Sequence, residues 1–220
     1  STLGSGRTGV AYGSTTGSSR TLERFYAPLF GTGPRTTALD ATSYAEMAPH
    51  AAGLFVADAF GIRGRLIPAI SACASGSLSI GLSLDTIRQG LEDVMIAGGA
   101  DELHRATAAT FDLLMATSTH YNATPDRTPR PFDAQRDGLV VAEGAGTLVL
   151  EALDHARARG APILAELAGW GTTCDGLHVT APSEDGMRRA MELALEDARV
   201  RPDEVDYVNG HGTGTDIGDV

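Results

Sequence analysis

The chain has 220 residues, 42% hydrophobic and 20% charged, the balance of a globular protein and not of a disordered one. Its net charge of −11, from 17 Lys and Arg against 28 Asp and Glu, excludes nucleic acid and disfavours an anionic membrane surface, because phosphate contacts need clustered basic side chains. No apolar run is long enough to span a bilayer, no signal-peptide pattern opens the chain, and the two cysteines (Cys73 and Cys174) form neither a CxxC pair nor a disulfide framework, which fits the reducing cytoplasm.

In chain order, Gly4-x-Gly6-x-x-Gly9 matches a dinucleotide fingerprint only formally. The fingerprint needs a strand before the glycines, whereas the strand-like Val10-Ala11-Tyr12 follows them. Residues 31–35 have the turn chemistry of a surface loop. Residues 41–60 carry Ala48, Ala52, Phe55, Val56 and Ala59 at helical spacing, and Gly61 ends the pattern. A buried strand is predicted over Leu66-Ile67-Pro68-Ala69-Ile70, then a helix to about Gly90, then a strand at Val94-Met95-Ile96-Ala97. Strand, helix and strand in that order suggest a parallel crossover. A further helix is predicted from Leu103 to about Met115, a polar loop over 117–138, and a strand over Thr147–Glu151. A short helix closing on Gly160 follows, then an alternating strand at Ile163–Ala168. Ser183 with Glu184 and Asp185 opens a helix whose apolar face is Met187, Ala190, Met191, Ala194, Leu195 and Ala198. The last strand, Val205–Asn209, leads into Gly210-His211-Gly212-Thr213-Gly214-Thr215.

Two residues stand where α/β sheets place chemistry, at carboxyl ends of strands. Cys73 follows a strand and precedes a helix N-terminus, whose unpaired amides and dipole favour a thiolate. Ala72, Ala74, Ser75 and Gly76 leave room for a substrate to approach the sulfur, although a free cysteine is also a common core residue. His211 sits between glycines that open the backbone to a ligand, and Thr213 and Thr215 offer hydroxyls; a histidine capping a turn would look the same. A Cys and a His on separate strand ends suggest nucleophilic thiol chemistry. The remaining histidines lack metal-site spacing, so no metal is expected. Asp133, Arg136, Asp137 and Glu143 are expected to make structural ion pairs holding their loop, in preference to transferring protons.

Four stretches together resemble the β-ketoacyl-ACP synthases: Ser71-Ala72-Cys73-Ala74-Ser75-Gly76, residues 131–138, Glu143-Gly144-Ala145-Gly146 and residues 210–215. Residues 119–125 and 98–103 are most similar to the type I elongating branch. The resemblance implies an α/β, thiolase-like fold of two similar halves layered αβαβα, incomplete in this chain. Residues 1–160 would be the N-terminal half without its first strand, and 161–220 the start of the C-terminal half. It also implies acyl transfer to Cys73, decarboxylation of malonyl-ACP and Claisen condensation. His211 would stabilise the developing enolate and thioester oxygen, and the Cys73 N–H would donate to the oxyanion.

By the same resemblance Thr213 and Thr215 would contact the phosphopantetheine arm, and Phe111 would line the acyl tunnel. Arg35, Arg63 and Arg65 would meet an acidic acyl carrier protein. No cofactor beyond carrier-borne phosphopantetheine is implied, and the assembly would be a homodimer or a ketosynthase heterodimer. The chain departs from the family at Ala142, where many relatives have glycine, and the family's second histidine, lysine and Gly-Phe-Gly loop would lie beyond Val220. The start at Ser1 and the end just past a Gly-rich loop give the expectation of a piece of a larger protein. Two other readings are a non-catalytic partner subunit that shapes a ketosynthase tunnel and a thiolase-fold enzyme using free CoA. Retention of Cys73 and His211 counts against the first, and the Gly-His-Gly-Thr-Gly-Thr loop against the second.

Overall fold

A computed structural model of the chain describes residues 3–31, 40–177 and 183–219. They form two compact units, one built from Ser1–Gly17, Ala48–Ala100 and Ala145–Asp206, the other from Ser18–Met47, Asp101–Gly144 and Tyr207–Val220.

The first unit is organised by a sheet of β1 (Thr8–Gly13), β2 (Leu66–Ala69), β3 (Val94–Asp101) and β4 (Gly144–Glu151), in the order β2-β1-β3-β4. β1 is parallel to both β2 and β3, with Val10 opposite Leu66 on one side and Ile96 on the other. The crossover expected between β2 and β3 therefore passes over β1, which fills the position between them. Pro68 lies in the edge strand β2, where a missing N–H is tolerated. All six residues of β1 are buried, and Val10, Tyr12 and Ile96 form the core with Ala52, Val56 and Ala57 against them.

Residues 41–60 make two helices and not one, α2 (Ala41–Glu46) in the second unit and α3 (Ala51–Phe60) in the first. Pro49 supplies the reason, since it disfavours helical geometry at the residue before it and cannot donate an N–H. The face of α3 that packs on the sheet is Ala52, Gly53, Val56 and Ala57, and a Cβ on Gly53 would already lie 3.1 Å from Leu66; Phe55 stays 39% exposed.

Between β2 and β3 runs α4 (Ser75–Arg88). Its buried positions are mostly small or polar, Ser75, Ser79, Gly81, Ser83 and Thr86, with Leu84 the one leucine among them. Small residues let the helix approach its neighbours closely, and each hydroxyl is satisfied by a carbonyl. Ser83 and Thr86 donate to the preceding turn, and Ser79 lies 2.7 Å from both Gly76 O and Gly98 O. On another side, Trp170 covers Gly81 and donates its indole N–H to Asp85 at 3.0 Å.

After β4, α6 (Leu153–Ala158) closes on Gly160 in the left-handed region, as expected. The helix α7 (Glu184–Ala198) opens where the sequence places it, with the Ser183 hydroxyl accepting the Gly186 N–H at 2.9 Å. Gly169 and Gly171 pass against Ala190, Ala194 and Ala198, while Met187 and Met191 of the same predicted face remain exposed. Residues 163–168 and 205–209 were expected as strands, but they join no ladder. A strand exists by pairing, and among the described residues no ladder hydrogen bonds join these segments to a sheet.

Glu151 ties β4 to α6. It accepts two hydrogen bonds from Arg159, at 2.7 and 2.6 Å, and one from His155. The Arg159 bonds, with a smaller share from His155, hold its carboxyl below the usual range against the opposing effect of burial. A lowered folded-state value stabilises above the unfolded-state value, about 4.3, and that stabilisation is lost as pH falls through the folded-state value. We expect urea midpoints to drop as pH falls below about 4.3. Glu151→Gln should cost roughly 1–3 kcal/mol at pH 7 and flatten the acid limb; an acid limb identical to wild type would disprove the assignment.

The second unit contains α1 (Ser19–Tyr26), α2 and α5 (Arg105–Leu113). Ser18 caps α1, and Glu102 accepts the Arg20 N–H at 2.6 Å, so a carboxylate sits at the helix's positive end. His104 caps α5 through Nδ1 and meets Glu23 of α1 through Nε2 at 2.9 Å. Among the described residues, no helix is long and apolar enough to cross a membrane.

Candidate active site

Cys73 lies in the elbow between β2 and α4, in the first unit, and is exposed. Ala72 just before it has φ 45°, a left-handed conformation that costs a non-glycine residue roughly 1–2 kcal/mol. Ser75 holds this strained turn closed. Its hydroxyl accepts the Ser71 N–H at 2.8 Å and donates to Ala72 O at 2.6 Å. The Ala74 and Ser75 amides close the same turn on Ser71 O and Ala72 O, at 2.9 and 3.1 Å. Ser75 is buried against β1 so tightly that a Cβ on Gly13 would lie 2.7 Å from its own. The sulfur is thus presented outward, two residues before the first turn of a 14-residue helix whose free amides and dipole favour developing negative charge.

His211, Thr213 and Thr215 share a loop of the second unit, and His211 is exposed. Gly212 and Gly214 have φ 59° and 74°, which glycine adopts without penalty. The loop is hung on one carboxylate. Asp219, 8% exposed, accepts the N–H groups of Thr213 (3.0 Å), Gly214 (2.9 Å) and Phe132 (2.9 Å). The Gly138 N–H donates to Gly214 O at 2.9 Å, and the Thr213 and Thr215 hydroxyls are 3.0 Å apart.

The 130–138 segment is held as a scaffold for that loop, although mostly through backbone groups and not by the ion pairs expected from its charges. Arg136 donates to the carbonyls of Thr215 (3.0 Å), Asp216 (2.8 Å) and Asp133 (3.1 Å). Burial pushes the Asp137 carboxyl up, but bonds from the Ser118 hydroxyl and the His120 and Thr119 amides outweigh it and leave it below the usual range. Glu143 accepts the Leu103 N–H at 3.1 Å. Asp133 pairs with Arg130 at 3.0 Å and Asp137 lies 3.6 Å from His120 Nδ1; the Gln135 amide, with Arg130, holds the Asp133 carboxyl low.

Of the other sequence candidates, Phe111 is half-buried near the end of α5 in the second unit, and Arg63 and Arg65 are exposed just before β2 in the first. Arg35 lies outside the described residues. Phe132 lies in the 131–138 stretch and Asp219 directly after Gly218, eight positions past His211, but sequence alone assigns neither a role.

Comparison with known proteins places the chain. The model of the β-ketoacyl synthase N-terminal domain matches residues 1–156, and that of the β-ketoacyl synthase C-terminal domain matches 164–220. A 3-oxoacyl-[acyl-carrier-protein] synthase 1 from Haemophilus influenzae is 40% identical over 97% of this chain and 52% of its own length. A crystal structure of a β-ketoacyl synthase from Burkholderia phymatum superposes with a TM-score of 0.92 at 50% identity, covering 99% of this chain and 53% of that one. A type II polyketide ketosynthase, solved in complex with its acyl-carrier protein and bound to the hexaketide, superposes with a TM-score of 0.90 at 30% identity, covering 99% and 55%. The chain thus spans about half the length of the curated relatives it matches. Its mixed α/β architecture is that of the thiolase-fold ketosynthases. By its matched domains and its relatives alike, the chain belongs to the β-ketoacyl synthase family.

Proposed function

We propose that this chain carries the nucleophile half of a β-ketoacyl-ACP synthase that elongates fatty acid or polyketide chains. The observation that carries the reading is the exposed Cys73 on a strained elbow before α4, which presents its sulfur to a ligand at the positive end of the helix. In the first step the Cys73 thiolate attacks an acyl thioester, and the phosphopantetheine thiol of the carrier protein leaves. Malonyl-ACP then loses carbon dioxide, and the enolate carbon attacks the acyl-Cys73 carbonyl. The sulfur departs as thiolate, leaving 3-oxoacyl-ACP. His211 stabilises the enolate oxygen as charge develops, and the Cys73 N–H serves the tetrahedral oxyanion. Thr213 and Thr215 meet the phosphopantetheine arm, Phe111 lines the acyl tunnel, and Arg35, Arg63 and Arg65 contact the carrier protein. No metal or resident cofactor enters this scheme.

Residues 1–160 are read as the N-terminal thiolase-like half and 161–220 as the start of the C-terminal half. The family matches at 1–156 and 164–220 support that division. We place the protein in the cytoplasm as a homodimer or a ketosynthase heterodimer, with acyl carrier protein as its partner. The carrier-protein complex of the polyketide ketosynthase supports that partnership. The test is the intact mass of the full-length polypeptide carrying this sequence after incubation with long-chain acyl-ACP. One acyl adduct that maps to Cys73 is expected. A folded protein that takes up no acyl group would overturn the enzyme reading in favour of a non-catalytic partner subunit.

A further inference from the structure

We propose that Phe132 is a positioning residue for His211, a role that rests on the β-ketoacyl synthase reading above. Its backbone has φ 63°, an outlier for a bulky L-residue, and outliers of this kind persist only where surrounding contacts over-determine them. Those contacts are present. The Phe132 N–H donates to Asp219 Oδ2 at 2.9 Å, and the same oxygen takes the Gly214 N–H at 2.9 Å. On its far side, the Asp133 amide closes on Arg130 O at 3.2 Å and Arg136 clamps Asp133 O at 3.1 Å. One buried carboxylate therefore joins the strained turn to the histidine loop.

The strain aims the ring at the two glycines that flank His211. A Cβ on Gly210 would lie 3.1 Å from the ring's Cζ, and one on Gly212 would lie 3.3 Å from Cε2. The residue is nevertheless 63% exposed, so the ring is not filling a hydrophobic core. What it covers is backbone on both sides of His211. Glycines leave that backbone free to wander. The aromatic plate limits its path and so fixes where the imidazole is presented.

Phe132→Gly isolates the ring, because glycine accepts φ 63° without strain and keeps the N–H to Asp219. In the full-length polypeptide we expect malonyl-ACP decarboxylation, which needs the enolate stabiliser, to fall roughly 10- to 100-fold from misplacement of His211. The rate of acyl transfer to Cys73 should be unchanged, and the thermal midpoint unchanged or raised. Phe132→Tyr and Phe132→Trp should restore decarboxylation, since both keep an aromatic plate. Wild-type decarboxylation in Phe132→Gly would overturn the proposal, as would a parallel loss of both steps with a lowered midpoint. A wild-type protein inactive in both steps would instead overturn the underlying reading.

Discussion

Cys73→Ala is expected to abolish acyl uptake and to lower condensation by roughly four orders of magnitude or more, the scale of losing a covalent nucleophile. The substitution is small and the side chain is exposed, so folding should be untouched. The elbow itself is held by Ser75 and by backbone amides, none of which involves the sulfur. Decarboxylation of malonyl-ACP forms no bond to sulfur, so the variant should retain it. Intact mass after acyl-ACP treatment and carbon dioxide release from malonyl-ACP measure the two steps separately. A variant that still condenses would remove Cys73 from the mechanism. A variant that loses decarboxylation as well would show that the residue supports the site by some route other than attack.

Asp219→Ala should produce the second largest effect, a fall in condensation of roughly 100-fold with Cys73 acylation largely preserved. The carboxylate accepts three amides that have no other described acceptor, and its removal leaves the buried Gly214 donor unpaired at roughly 1–3 kcal/mol before relaxation, with smaller losses at the part-buried Phe132 and Thr213 donors. The loop that loses its anchor is the one carrying His211, so the step in which negative charge develops on the enolate should suffer first. Asp219→Asn separates anchoring from charge. Its amide oxygen can replace Oδ2 and keep the Phe132 and Gly214 bonds, while its NH₂ faces the Thr213 N–H donor across 3.0 Å. The Asn variant should therefore fall between wild type and Ala in activity and in urea midpoint. Equal activity in all three proteins would show that the loop needs no anchor.

These two expectations differ in how far sequence alone could have reached them. Cys73 between a strand and a helix was legible, because a short apolar run at Leu66–Ile70 is followed by small residues in the turn and then by a long apolar segment after Ser75. The cap at Ser183 and the glycine end at Gly160 were legible for the same local reason: a hydroxyl or a missing Cβ acts within a few residues. The break at Pro49 was equally local and was passed over in favour of the apolar spacing around it.

Properties that depend on distant partners were decided only by the tertiary structure. The buried positions of α4 are mostly serines, a threonine and a glycine, with Leu84 the one leucine, because Gly98 and Trp170 approach the helix closely, and no helical period announces that approach. Residues 163–168 alternate like a strand, but alternation creates no ladder without a neighbour. Asp219 became an anchor because the chain returns to bring Phe132, 87 positions earlier, onto its carboxylate. The sequence determined local geometry, through caps, turns and the residues that tolerate left-handed backbone. Which buried donors find which acceptors was settled by the packing of distant segments, because a hydrogen bond is short and chain separation does not limit it.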